Sequence, residues 1–322
     1  MKKYMLLLFL FLIPTLTLAA LQADPGPVLG GEDTFGITFA PVYTVLNGRS
    51  SELVLQNEGN EGDYLSKLTW DLNSVQMIGG QISLNLQNLL FFNFAMVTAL
   101  DAGNAEMNDY DWLYTKYPDA DRTVWTNWSE SDIFLRSSYQ LDYNTTVRLF
   151  RTYTRSYDIL AGFKMIHWSW TDSITDINYP YESADYTHLI GKNGIDYEVY
   201  YRIPYLGASY RWIRGPVQAG ATLLYSWMVN VDDHDYHIQR NLHFYDYYKN
   251  GQYFSFSVLA KFSCTDTLSL TLSYDWEEVF EIGGDSIIVT EYSNGSSISY
   301  DPGSVAVSYY ASSLSLALEV CF

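Results

Sequence analysis

The stretch Leu268-Ser269-Leu270-Thr271-Leu272-Ser273-Tyr274-Asp275-Trp276-Glu277 decides the fold. Apolar and polar residues alternate strictly, and a period of two marks a β-strand whose two faces meet different surroundings. Two further rows share it. Leu314, Leu316, Leu318, Val320 and Phe322 alternate with Ser313, Ser315, Ala317, Glu319 and Cys321. Val217, Ala219, Ala221, Leu223, Tyr225, Trp227, Val229 and Val231 oppose Gln218, Gly220, Thr222, Ser226 and Asn230. These runs exceed the ~5–6 residues usual for strands of a soluble sandwich. Together with an aromatic content of 17 %, they predict an antiparallel transmembrane β-barrel with its apolar face on lipid and its polar face filling the lumen.

Composition narrows the functional classes. Of 322 residues, 48 % are hydrophobic and only 17 % charged, which excludes a disordered or coiled-coil chain. Acids outnumber bases 37 to 18, for a net charge of −19. Such a field disfavours nucleic acid, whose phosphates need clustered cations, and favours cationic partners. Lys2 and Lys3, an apolar run from Met5 to Leu18 interrupted by Pro14, and Ala19-Ala20 read as a cleaved signal peptide over 1–20. The apolar run is shorter than the ~20 residues of a spanning helix. Residues 21–322 are expected to form one barrel domain. With only Cys264 and Cys321, no disulfide framework holds the fold, and whether these two bridge is open.

The pattern gives ten strands, at about 33–45, 65–78, 80–98, 131–150, 156–171, 195–210, 216–231, 241–263, 267–280 and 304–322. Tight turns are expected at Gly79-Gly80, Thr152 to Arg155, Ile213 to Pro216 and Cys264 to Asp266, and long polar links over 46–64, 99–130, 172–194, 232–240 and 281–303. Short and long links alternate, as in outer-membrane barrels with short periplasmic turns and longer outer loops. A lumen of ten strands is mostly filled by side chains, so a pore is disfavoured.

Two acidic motifs fall where long links begin or end: Asp109-Tyr110-Asp111-Trp112 and Asp233-His234-Asp235-Tyr236-His237. In extended backbone, residues two apart share a side, so Asp109 pairs with Asp111, and Asp233, Asp235 and His237 form one row. An ionised Asp beside a His raises its proton affinity and fixes its tautomer, which suits the imidazole to take a proton from water. Carboxylates on a facing wall could orient that water. Spacing alone leaves three readings: a catalytic cleft, solvated loop charge, or a site for a hard cation. The phase of 217–231 would turn the second motif outward, so the sequence demands a bulge or strand end near Asp232.

The sequence resembles the omptin family, the outer-membrane aspartic endopeptidases of Gram-negative bacteria. The resemblance rests on Leu65-Ser66-Lys67-Leu68-Thr69-Trp70 with Ile78-Gly79-Gly80 and Ile82, on Asp109-Tyr110-Asp111-Trp112, on Arg202-Ile203-Pro204-Tyr205-Leu206-Gly207 with Tyr210-Arg211, and on Tyr225-Ser226-Trp227 leading into Asp233, Asp235 and His237. It implies a ten-stranded barrel protruding from the outer membrane, its active groove facing the exterior. It also implies that Asp235 and His237 activate a water for attack on the scissile carbonyl, with Asp109 and Asp111 completing the site, and no metal. Glu52 and Asp233 match the acids of the family's P1 pocket and imply cleavage after Lys or Arg in cationic peptides or proteins.

Two departures temper what the resemblance implies. The P1′ pocket matches Ile195 and Asn127, and a neutral Asn127 cannot pair with a second basic side chain, which implies weaker demand for a dibasic site. Where the family holds lipopolysaccharide phosphates, this chain has Phe163, Met165, His167 and Tyr200, with Lys249 as the one clear cation. Dependence on lipopolysaccharide as an activator is therefore doubtful, although outer-membrane lipid remains an expected partner. The rival function is a catalytically silent barrel acting as an adhesin or receptor through its loops. His188, His234 and His243 read as loop or rim histidines. His167 with Trp168 and Trp170, and the run Tyr245, Tyr247, Tyr248 and Tyr253, read as girdle or rim aromatics.

Overall fold

Every alternating run forms a strand, and each strand pairs antiparallel with its neighbour. The computed structural model describes residues 35–55, 64–113 and 125–322; the expected signal segment lies outside the described residues. The strands are β1 (Phe35–Leu55), β2 (Tyr64–Leu86), β3 (Leu90–Ala99), β4 (Glu106–Asp111), β5 (Asn127–Arg151), β6 (Arg155–Asn178), β7 (Ile195–Arg214), β8 (Val217–His237), β9 (Leu242–Ser263), β10 (Leu268–Tyr292) and β11 (Gly295–Cys321). β3 and β4 both lie between β2 and β5, as two pieces of one interrupted barrel strand. β1 pairs with β11 as well as β2, so the sheet closes into a ring of ten with no free edge.

One end of the barrel carries an exposed apolar belt. Phe39, Ile78, Ile82, Phe94, Met96, Leu206, Leu270, Leu272, Leu314, Leu316 and Leu318 all project outward, bounded above by Tyr43, Tyr225, Trp227, Tyr274 and Tyr310. A membrane strand needs only ~9–11 residues to cross, whereas β5 and β10 run for 25 and β11 for 27. The remainder stands beyond the bilayer. The lumen within the belt is packed with polar side chains: Tyr205 donates to Asp142 at 2.6 Å, Tyr253 to Glu277 at 2.9 Å, and Arg148 pairs with Asp158 at 2.9 Å. Lys164 contacts Glu277, and Lys261 contacts Glu319.

Above the belt the side-chain phase reverses. In β8 the inward row is even-numbered up to Ser226; Trp227 and Met228 are both exposed, and the inward row resumes at Val229 and Val231. A bulge, stabilised by the Met228 amide donating to Ser226 Oγ at 3.1 Å, makes the switch. β9 shifts opposite it, at Lys249 and at Asn250, whose φ is +61°. The required bulge thus lies just before the position the sequence suggested, and Val229 and Val231 face the interior rather than lipid.

Several expectations are corrected. Gly79-Gly80 is no turn; both lie within β2, and the hairpin falls at 87–89, where Gln87 and Asn88 take left-handed φ of +55° and +53°. Gly79 is there for space, because a Cβ would sit 1.9 Å from the Met96 carbonyl oxygen on β3. The link 281–303 is mostly strand, since β10 reaches Tyr292 and β11 starts at Gly295. Trp168, Trp170, Tyr248 and Tyr253 point inward and are fully buried rather than forming a girdle. His167 does face outward, but is covered between the rings of Tyr139 and Tyr200. Cys264 and Cys321 are both free thiols.

Gly79→Ala is expected to lower stability by about 1–3 kcal/mol through forced overpacking. At Gly80 the nearest atom to a new Cβ is 3.5 Å away, and Ala there is expected to cost under ~0.5 kcal/mol. Urea titration of the two refolded variants, followed by β-sheet circular dichroism, compares them; equal losses would contradict the packing account.

Candidate active site

The reversed phase of β8 aims Asp233, Asp235 and His237 into the mouth of the barrel. Antiparallel pairing sets their neighbours: Val199, Tyr197 and Ile195 on β7, and Asp246, Phe244 and Leu242 on β9. The opposite wall is built by β1, β2, β4 and β5. Glu52 stands opposite Leu68, which is paired with Asp109, and Asp111 lies between Ser66 and Asn127. Glu52, Asp109 and Asp111 point inward, as do Ile195 and Asn127, which are both buried. The floor is aromatic: Trp70 stacks on Tyr197 at 4.9 Å, with Trp170 against both.

The His–Asp pair is formed. His237 Nε2 lies 2.7 Å from Asp235 Oδ2, while its Nδ1 meets the Arg240 guanidinium. Arg240 can only donate, so Nδ1 is the acceptor and Nε2–H donates to Asp235. Phe244 packs edge-on against the imidazole at 5.3 Å and restricts its rotation. Asp172 on β6 accepts the amides of Gly194 and Ile195 at 2.6 and 2.7 Å, which anchors the start of β7 beside His237.

Across the cleft, Ser66 Oγ donates to Asp109 Oδ1 at 3.2 Å. Burial holds the Asp109 carboxyl well above the usual range, and the Asp111 charge adds to this; Arg240 and Ser66 oppose it. Asp111 is raised by burial as well, against Ser66, Arg240 and the charge of His237. The charge of Asp235 reaches Asp109 and that of His237 reaches Asp111, as expected of side chains that line one cleft. Arg240 stands between them.

Deeper in the cleft a second acidic group collects. Burial first raises both Glu52 and Asp233; the charges of Asp233, Asp235 and Asp246 then add to Glu52, and those of Asp246 and Asp235 to Asp233. Tyr197 O–H donates to Asp233 Oδ2 at 3.2 Å, and Tyr248 O–H donates to Asp246 Oδ2 at 3.2 Å. Asp246, fully buried, is pushed up to about 7 mainly by that burial. Sequence reasoning missed Asp246, Tyr197, Tyr248 and Arg240. The signal for Asp246 was the inward row of β9, in which it stands between Phe244 and Tyr248.

On the outer wall, His167 is bonded to Ser137 at 3.1 Å, Tyr200 donates to Glu198 at 2.7 Å, and Arg202 is engaged by Asp232. His234 and His243 also lie on that outer surface, 3.1 Å apart. Among the described residues, no group of three or more His, Cys, Asp or Glu side chains could hold a metal ion.

These shifts make stability depend on pH. Unfolded carboxyls titrate near ~4, whereas the cluster titrates higher, with Asp246 at about 7. Between those values the native state binds more protons than the unfolded chain, so stability falls as pH rises. Asp233→Asn is expected to raise the apparent Tm at pH 8 by ~2–4 °C and to reduce the gain on acidification to pH 5.5. Thermal scans at both pH values check this; a Tm that rises with pH in the parent would contradict it.

A family profile described as the Omptin family matches residues 35–322. The chain is 24 % identical over 274 residues to the plasminogen activator of Yersinia pestis, covering 84 % of this chain and 85 % of that protein. It is 25 % identical over 262 residues to protease 7 of Escherichia coli O157:H7, covering 79 % and 81 %. The crystal structure of the outer membrane protease OmpT from Escherichia coli shares its fold, with a TM-score of 0.78 at 21 % identity over 89 % of this chain and 97 % of that one. Closed barrel, apolar belt, shared acidic cleft and profile agree: the chain belongs to the omptin family and is an outer-membrane β-barrel.

Proposed function

We propose that this barrel is a surface endopeptidase that cleaves peptides or proteins after Lys or Arg by attack of an activated water. The observation that carries this is the His237–Asp235 hydrogen bond of 2.7 Å, in a cleft shared with Asp109 and Asp111. With Nε2–H held by Asp235, the basic nitrogen is Nδ1, and the carboxyl pair stands across the cleft from it. A water between them gives its proton to Nδ1 and attacks the scissile carbonyl, as Asp235 stabilises the imidazolium. The raised pKa of Asp109 and Asp111 suits that pair to hold a proton, which it donates to the developing oxyanion or the leaving amine. Arg240 rests on Nδ1 and must leave before that nitrogen works.

Specificity follows from the acids behind the dyad. Glu52 and Asp233 are buried, and no ion pair among the described residues reaches either, so a Lys or Arg side chain entering the pocket would supply the charge that they lack. Ile195 and Asn127 would line the next subsite and offer it no charge. The outer wall at Phe163, Met165, His167 and Tyr200 carries few cations, which favours activity without a bound lipopolysaccharide phosphate. The acidic exterior attracts cationic substrates, and no step requires a metal.

His237→Ala and Asp235→Asn are each expected to lower kcat by ~10²–10⁴ on an Arg-containing peptide, with KM little changed and EDTA without effect on the parent. Retention of parental kcat in both would leave an adhesin or receptor role. Peptides with Arg-Arg and Arg-Ala junctions should differ in kcat/KM by less than ~10-fold; a larger preference for Arg-Arg would refute the neutral P1′ pocket.

A further inference from the structure

Asp233 and Asp246 stand directly opposite in the β8–β9 ladder. Like charges in that relation are destabilising, and both are buried, each close enough to Glu52 for its charge to raise that carboxyl. Tyr197 and Tyr248 hydroxyls satisfy one oxygen of Asp233 and of Asp246. Asp233 Oδ1, Asp246 Oδ1 and Glu52 Oε2 are buried without a hydrogen-bond partner. No ion pair among the described residues reaches any of the three carboxylates. Three unpartnered acceptors from three strands, beside tyrosine rings, form a receptacle that lacks a cation.

We infer that Asp246 is a third carboxylate of the P1 pocket, completing with Glu52 and Asp233 a three-sided cage for the basic side chain. This rests on the basic-residue reading above. A guanidinium carries five N–H donors in a rigid plane and can meet acceptors on several sides at once, whereas a neutral side chain of the same shape leaves the carboxylates unpaired. Asp246 acts on specificity and not on the water: in the β8–β9 ladder it pairs with Asp233, one step of the inward row below Asp235, which pairs with Phe244. Its place in β9, outside both acidic motifs, separates it from the residues that the sequence marks.

The experiment measures the kcat/KM ratio for two peptides that differ only in arginine or citrulline at P1, citrulline being the neutral isostere. It uses the refolded parent, Asp246→Asn, Asp246→Ser and Asp246→Glu. Neutralising one member of a repelling cluster favours the fold, and the Ser variant serves if the Asn variant does not fold. The arginine-to-citrulline ratio is expected to fall at least tenfold in the neutral variants and to stay within threefold of the parent in Asp246→Glu. A ratio unchanged in a folded neutral variant overturns the role of Asp246 while sparing the pocket. A parent that cuts both peptides equally overturns the basic-residue reading itself, and this inference with it.

Discussion

The site depends on the bulge at Trp227-Met228. Below it, β8 obeys the rule of a membrane strand, with odd residues on lipid and even residues in the lumen. Without the extra residue the same alternation would carry Asp233, Asp235 and His237 to the outer surface, because a one-residue slip exchanges the faces of a strand. With it, Val229, Val231, Asp233, Asp235 and His237 form one inward row. The matching shift at Lys249-Asn250 in β9 brings Asp246 and Phe244 into the same mouth. The bulges also mark where the lipid-facing belt ends and the protruding barrel begins.

The acids so gathered oppose the stability of the fold. Burial raises Glu52, Asp109, Asp111, Asp233 and Asp246, and repulsion from neighbouring carboxylates adds to it at all of these but Asp111. A barrel closed by backbone hydrogen bonds around its whole circumference tolerates this, since no edge is available to fray. Function gains from the same cost. In the proposed mechanism, carboxyls that hold on to their protons act as acids, and oxygens left unpartnered on folding would be satisfied by an entering cationic side chain.

The fold was legible in the sequence wherever lipid and lumen impose opposite chemistries, as in Leu268 to Glu277. It faded above the membrane, where both strand faces meet water or a polar cleft. The stretch 295–303 is exposed on nearly every residue, so no buried face marks it as a strand, and its Ser, Asp, Pro and Gly read as a loop. Gly79-Gly80 looked like a turn, yet Gly79 answers to the close approach of Met96 across β2 and β3. The acidic row of β8 was legible through the spacing of Asp233, Asp235 and His237, and its inward direction only through the demand for a bulge. Asp246 belongs to no local motif. It enters the site through strand register, which a single chain does not display.

In the proposed mechanism His237 with Asp235 on one wall, and Asp109 with Asp111 on the other, work on one water. A double-mutant cycle probes that coupling: kcat/KM of His237→Gln, Asp109→Asn and the double variant, on one arginine peptide. Groups that serve a single step as a unit lose most of their effect together, so the double variant is predicted to be no slower than the slower single variant within about threefold. Losses that multiply would place the two walls in separate steps and contradict the shared water.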